Sequence, residues 1–147
     1  MKVLIVYDSM YGNTEALAKA VAAAIGGDVA LSRPGAVDIA ALAGLDLLVV
    51  GAPVHGGRPM PSVQAFLDRL PPLQGLRVAV FDTRLTSRLV KVFGYAADRA
   101  AASLRDKGAI LVGAPEGFFV TGKRGPLKEG ELERAAAWAR TLVELMK

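Results

Sequence analysis

The sequence of 147 residues contains no cysteine and a single histidine, His55. The lack of cysteine excludes disulfides, iron–sulfur clusters, thiolate zinc sites and thiol catalysis. One histidine also argues against a histidine-rich metal site, and we expect no bound metal. Around that histidine, in a glycine-rich stretch, the sequence provides no basis for a Ser/His/Asp triad.

The sequence also lacks an apolar run long enough to cross a bilayer. The N-terminal run, residues 3–7, is too short for a signal-peptide core, and Asp8 ends it. We therefore expect a cytoplasmic protein without membrane insertion. A hydrophobic fraction of 52% and a mean hydropathy of +0.36 exclude disorder. The length predicts one domain over residues 1–147.

The formal net charge is +4 and the isoelectric point about 9.6, but the charge pattern argues against nucleic-acid binding. Basic residues are spread among acidic ones, and no Lys/Arg run alternates with aromatics. A nucleoside-triphosphate P-loop is absent, and no Gly-x-Gly-x-x-Gly fingerprint follows the first apolar run. A phosphate-accepting receiver domain needs Asp and Lys where this chain has Gly51 and Ala114-Pro115.

Strand and helix patterns alternate along the whole chain. Strands are predicted over residues 3–7, 29–31, 45–50, 76–81 and 109–113, the last continuing at 117–120. Helices are predicted from Leu17 to Gly26, over 38–42, from Pro61 to Leu70, and over 93–107 and 132–146. Residues 82–92 read as a polar connection and 121–129 as a basic loop. This alternation predicts a parallel sheet covered by helices on both faces.

One hexapeptide lies between the first buried strand and the first amphipathic helix. It consists of Ser9, Met10, Tyr11, Gly12, Asn13 and Thr14. A loop in this position aims the first N–H groups of the helix above the carboxyl end of the strand. Free N–H groups and the helix dipole favour a phosphate there. The alternative is an ordinary helix cap, by Ser9 or Asn13, without a ligand.

The hexapeptide resembles the phosphate loop of the flavodoxins, Ser/Thr-x-Thr-Gly-Asn-Thr, which holds the phosphate of flavin mononucleotide (FMN). Tyr11 replaces the usual Thr, so one hydroxyl contact is lost or replaced. Ser-Met-Tyr-Gly also occurs in flavodoxin-like quinone reductases, so the loop leaves carrier and enzyme open. The resemblance covers the whole chain. It implies an α/β three-layer sandwich with a five-stranded parallel sheet of order 2-1-3-4-5, and ligand binding at the carboxyl ends of the strands.

The resemblance assigns the second loop, residues 51–59, to one face of the flavin ring. The FMN contacts expected from it are Pro53, Val54, His55, Gly56 and Gly57. His55 falls where the family often has a tryptophan or another large residue, and Gly56 where the family has a glycine whose carbonyl faces flavin N5. A glycine peptide can flip because glycine tolerates positive φ. The alternatives are a flexible turn and a solvated histidine.

The third loop departs from the family pattern of Gly-x-Gly-Asp followed by a stacking tyrosine. The FMN contacts expected here are Asp82, Thr83 and Arg84. The tyrosine position falls near Val90, so the second ring face is covered by an aliphatic side chain or left open. The basic residues expected to border the ring are Arg58, Arg84, Arg88 and Lys91. Either these residues make the flavin less reducing than in acidic flavodoxins, or they form a solvated edge. In the first case Arg84 should have the largest effect on the potential, unless Asp82 cancels its charge.

The resemblance therefore implies an FMN-binding carrier of electrons between redox partner proteins. Its basic rim would favour partners with an acidic docking surface, and we expect a monomer or weak dimer. No side chain needs to act as a catalytic acid or base, because the flavin supplies the chemistry. Two alternatives stay open: an FMN-dependent NAD(P)H/quinone oxidoreductase, and a flavodoxin-like module that has lost flavin.

Replacing Gly56 by alanine tests the expected peptide flip. Alanine should disfavour the positive-φ conformer by roughly 1 kcal/mol or more. We expect the gap between the two one-electron potentials of the bound flavin to change in a potentiometric titration. A gap equal to that of the wild type would contradict the flip.

Overall fold

The computed structural model describes residues 1–55, 58–85 and 95–147, with the backbone alone for residues 54–55 and 58–59. The strands are β1 (Lys2–Tyr7), β2 (Asp28–Ser32), β3 (Leu47–His55), β4 (Arg58–Pro59), β5 (Arg77–Leu85), β6 (Ile110–Leu111) and β7 (Glu116–Val120). The α-helices are α1 (Asn13–Ile25), α2 (Pro61–Asp68), α3 (Ala96–Asp106) and α4 (Glu131–Met146). Two 3₁₀ helices, Pro34–Ala36 and Ile39–Gly44, lie between β2 and β3.

The main sheet is parallel, with the order β2-β1-β3-β5 followed by β6 and β7. Both β6 and β7 pair with β5, so they occupy one strand position in succession. Counted by position, the order is 2-1-3-4-5, which confirms the predicted fold. The short strand β4 pairs antiparallel with the end of β3, His55 opposite Arg58.

Two apolar clusters cover opposite faces of the sheet. Alternate residues of β3 point to opposite sides, so Leu48 and Val50 face α2 and α3 while Leu47 and Val49 face α1 and α4. All four side chains are fully buried. Strands buried on both faces read as continuous apolar runs, and this explains why the sequence predicted them.

An aromatic cluster and an ion-pair network join α4 to the sheet. Phe81, Phe118 and Trp138 meet edge to face, with ring centroids 5.7–6.0 Å apart. The Glu131 carboxylate accepts hydrogen bonds from Arg134 and, at 2.8 Å, from the Phe119 N–H. The Arg134 hydrogen bond leads the contacts that lower the pKa of Glu131. The network holds the start of α4 against β7. The segment that connects β7 to α4 is therefore held at both of its ends.

Two strands extend well past their predicted ends, and both of these ends lie at the candidate site. β3 continues past Val50 to His55, and β5 continues past Phe81 to Leu85. Ala52 and Pro53 pair with Asp82 and Thr83, while β7 pairs with 81–85 of β5 on the other side. Asp82 and Thr83 stay in the strand although they are polar, because Arg84 and Thr14 provide hydrogen-bond partners for their side chains.

The helices follow the prediction with smaller differences. α2 ends at Asp68 rather than Leu70, and α3 begins at Ala96, whereas residues 93–94 of its predicted start lie outside the described ranges. In α4, which begins at Glu131, Ala135, Ala139 and Leu142 are buried, whereas Leu132 is 43% exposed. Across the described ranges, none of the helices has the length and apolar character needed to cross a membrane.

Replacing Gly51 by alanine should destabilise the fold. A Cβ at Gly51 would lie 2.3 Å from Cζ of Phe81, whose ring is held by Phe118 and Trp138. We expect the free energy of unfolding in urea to fall by roughly 1–3 kcal/mol. The control is Gly35→Ala, where no described atom lies within 4 Å of the added Cβ, and there we expect a change within about 0.5 kcal/mol. Equal losses in the two variants would contradict this account.

Candidate functional site

The loop after β1 turns into α1 through Gly12. This residue has φ +90°, which glycine adopts without strain, and it occupies the N-cap position. Its N–H donates to Ser9 Oγ at 3.0 Å, which folds the loop back on itself. No side chain of the described residues caps α1, so its first N–H groups are left for another partner. An ordinary cap by Ser9 or Asn13 is therefore not what the structure contains.

The Asp8 carboxylate makes hydrogen bonds that hold this loop in place. It accepts hydrogen bonds from the Ser9 N–H and the Arg33 guanidinium, both at 2.8 Å, and from the Ser62 hydroxyl. Arg33 also binds Glu15 in the first turn of α1. Burial alone would raise the pKa of Asp8, but the hydrogen bonds from Ser62, Ser9 and Arg33 outweigh it and lower the pKa. Residues from the ends of β1 and β2 and the starts of α1 and α2 thus position the loop.

A cavity of about 210 Å³ opens beside the loop at the carboxyl ends of β1, β3 and β5. Of the residues predicted to bind FMN, the cavity is lined by Ser9, Met10, Tyr11, Asn13, Thr14, Pro53, Thr83 and Arg84. The sequence did not single out four others that also line it, Met60, Leu85, Val120 and Lys123. Lys123 lies in the predicted basic loop directly after the last strand, and this position was the available signal for it.

The other predicted site residues fall into three groups. Gly12 and Asp82 lie next to lining residues but do not line the cavity themselves. Val54 and His55 belong to β3, and only their backbone is described. Gly56, Gly57, Arg88, Val90 and Lys91 lie outside the described residues, so the expectations for them stay predictions.

Two buried threonines connect the first loop to the end of β5. Thr14 Oγ1 and Thr83 Oγ1 are 3.1 Å apart, and the two residues are 1% and 6% exposed. Whichever hydroxyl donates, the accepting hydroxyl keeps its own proton. The pair therefore retains a donor at the cavity wall, which both residues line.

Arg84 has a different role from the one expected from the sequence. Its guanidinium binds both carboxylate oxygens of Asp82, at 2.6 and 2.8 Å, and stacks 3.5 Å from the centroid of Tyr95. A Cβ at Gly117 would lie only 2.1 Å from Arg84 Nε, so the backbone of β7 closes the other side. The side chain is 12% exposed. Arg84 is therefore neither an uncompensated charge beside the cavity nor a solvated edge; Asp82 neutralises it.

Asp82 also connects β5 to α3. It is fully buried and accepts a hydrogen bond from the Ala97 N–H at 2.9 Å, in the first turn of the helix. Burial raises the pKa of Asp82, and the contacts with Arg84 and Ala97 offset this only in part. The ion pair thus holds β5, β7 and α3 together at the cavity. Among the described residues, no cluster of three or more His, Asp or Glu side chains could hold a metal ion.

A double-mutant cycle tests this ion pair. Arg84→Met leaves a buried carboxylate unpaired, so we expect the free energy of unfolding to fall by about 3–5 kcal/mol. Asp82→Asn combined with Arg84→Met leaves no buried charge, so its loss should be clearly smaller than the sum of the two single losses. Urea unfolding of the four proteins measures the coupling. Additive losses would show that the pair is not coupled in the folded state.

The comparisons with known proteins agree with this architecture. The family model of the flavodoxin domain matches residues 4–112. No curated protein matches the sequence. Among solved structures, a flavodoxin from the domain Archaea aligns over 99% of each chain, with a TM-score of 0.82 and 22% identity.

Two further solved structures align over almost their whole length. Oxidised flavodoxin 2 from Bacillus cereus is 25% identical, with a TM-score of 0.76, over 98% of this chain and 99% of that one. A short-chain flavodoxin associated with a non-canonical PDU bacterial microcompartment is 23% identical, with a TM-score of 0.78, over 100% of both chains. Because the family model matches well over half of the chain, this protein belongs to the flavodoxin domain family.

Proposed function

We propose that this protein binds FMN noncovalently in the described cavity and carries electrons between redox partner proteins. The observation that carries the proposal is that the uncapped start of α1 adjoins a cavity at the carboxyl ends of β1, β3 and β5. This is where parallel α/β sheets bind ligands, next to the switch in strand order between β1 and β3.

The chemistry of the surrounding groups fits the two parts of FMN. The first N–H groups of α1 and the hydroxyls of Ser9 and Thr14 suit a phosphate. Met60, Leu85 and Val120 offer apolar surface to a flat ring. Met10 and Tyr11, at the same cavity, are 55% and 42% exposed, which is unusual for large apolar side chains. When bound, the flavin supplies the redox chemistry.

The residues of the chain itself would bind and orient the cofactor. Asp8 and Arg33 hold the phosphate loop in place before binding, so little order has to be created when the ligand arrives. Asp82 and Arg84 fix the end of β5 without leaving a net charge. No proton transfer by a side chain is needed for this function, and we assign no catalytic residue.

The partners follow from the charge around the site. Arg124 lies over Tyr11 at the rim of the cavity. Its charge would favour a redox partner with an acidic docking surface. A single domain over residues 1–147, a monomeric or weakly dimeric state and a cytoplasmic location are further parts of the proposal.

The visible spectrum of the purified protein and a steady-state assay test the proposal together. We expect the flavin absorption of bound FMN and slow turnover of NAD(P)H with a quinone, combined with fast electron exchange with a redox partner protein. A protein that stays colourless after incubation with FMN would contradict flavin binding. Fast, saturable turnover with NAD(P)H and a quinone would instead show that it is an oxidoreductase.

Replacing Thr14 by valine tests the phosphate contact with little change in shape. The variant removes the hydroxyl that bonds Thr83, and we expect FMN affinity to fall by about ten- to a hundredfold. Riboflavin, which lacks the phosphate, should lose much less. Thr141→Val is the control, because its hydroxyl bonds a carbonyl within α4, away from the cavity. Equal weakening of FMN and riboflavin by Thr14→Val would contradict the phosphate assignment.

A further inference from the structure

The segment after β7 forms a closed turn with a fixed tip. We call residues 121–128 the basic turn, since they include Lys123, Arg124 and Lys128. The Thr121 N–H donates to the Pro126 carbonyl at 2.9 Å, and the Gly125 N–H to the Gly122 carbonyl at 3.0 Å. At its base, Val120 and Leu127 form an antiparallel bridge. These bonds hold Lys123 in a defined place relative to β7.

The basic turn is docked on the phosphate loop. Asn13 Nδ2 donates to the Arg124 carbonyl at 3.4 Å. A Cβ at Gly125 would lie 2.6 Å from Asn13 Oδ1, so only glycine lets the turn come this close. The Arg124 guanidinium lies 5.8 Å from the centroid of Tyr11. Tyr11, which stands where the flavodoxin pattern has threonine, therefore faces the turn.

The cations near the cavity differ in their partners. Arg84 is neutralised by Asp82, and Arg33 binds Asp8 and Glu15. Lys123 lines the cavity and makes no ion pair or hydrogen bond with any residue in the described part of the chain. Lys128, in the same turn, does not line the cavity and instead lies 5.7 Å from the ring centroid of Phe119. Arg124, at the rim, lies over the Tyr11 ring and does not line the cavity. Among the described residues that line the cavity, the uncompensated positive charge is therefore that of Lys123.

We propose that Lys123 is a specificity-determining residue that pairs with the phosphate of the bound flavin. The inference rests on the proposed function and adds a charge to a site otherwise made of N–H groups and hydroxyls. A phosphate monoester carries a charge of about −1.5 to −2 at pH 7, so one ammonium beside it favours the phosphorylated ligand. The basic turn is docked on the loop at residues 9–14 through Asn13 and Tyr11, and Lys123 lines the same cavity as that loop. Lys123 thereby distinguishes FMN from riboflavin.

The test measures dissociation constants for FMN and riboflavin in four proteins: wild type, Lys123→Met, Lys123→Arg and Lys128→Met. Methionine keeps the length of the side chain and removes its charge. We expect Lys123→Met to weaken FMN binding roughly tenfold and to change riboflavin binding by less than about twofold, with arginine restoring most of the loss. Lys128→Met removes the same charge from the same turn. It should leave unchanged the FMN-to-riboflavin ratio, which is the affinity for FMN divided by the affinity for riboflavin. FMN affinity should fall with salt more steeply in wild type than in Lys123→Met.

Each departure from these results identifies what has failed. If wild type binds FMN but Lys123→Met leaves the FMN-to-riboflavin ratio unchanged, the inference is overturned and the proposed function stands. If Lys128→Met lowers the ratio as much as Lys123→Met, the effect belongs to the net charge of the turn, and the inference is again overturned. If wild type binds neither flavin, the proposed function fails, and the inference fails with it.

Discussion

The buried carboxylate of Asp82 determines how the elements around the cavity pack together. A charge without exposed surface needs close partners, since an unpaired carboxylate in the interior is strongly destabilising. Arg84 and the Ala97 N–H meet this need. Arg84 in turn fits only because Gly117 presents bare backbone to it and Tyr95 covers its face. One ionic interaction therefore fixes where β5 ends, where α3 begins and how closely β7 approaches.

The loop at residues 9–14 is held by a second set of polar contacts. Asp8 links it to Arg33 and Ser62, and Thr14 links it to Thr83 at the end of β5. Asn13 links it to the basic turn, 111 residues away in the sequence. Contacts within the chain therefore hold the loop. A loop held by its own chain loses less conformational entropy when a ligand binds.

The order of the sheet and the place of the loop could be predicted from the sequence, because both depend on local patterns. Strands such as 3–7 and 47–50 are continuous apolar runs, and Gly12 marks the turn between strand and helix. The ends of β3 and β5 could not be predicted in this way, because β3 continues through Gly51 and Pro53 and β5 continues through the polar Asp82 and Thr83. A prediction that extended β5 to Leu85 would also have placed Asp82 beside Arg84, because residues two apart share one face of a strand.

The position of the basic turn is a different case. The sequence shows that residues 121–129 are basic, but only the tertiary fold brings them to the loop at residues 9–14. Lys123 was missed for this reason. For Arg84 the sequence did offer Asp82 as the residue that could cancel its charge, and the structure pairs the two. A partner two residues away could thus be read from the sequence, whereas a contact between distant segments could not.

The contact between the basic turn and the loop at residues 9–14 also bears on how the cavity comes to exist during folding. Asn13 bonds the Arg124 carbonyl, 111 residues further along the chain, and Gly125 allows so close an approach. Val120 and Lys123 line the cavity beside this contact. The wall of the cavity therefore combines an early and a late part of the chain. It is complete only after the last strand and the basic turn have packed against the first loop.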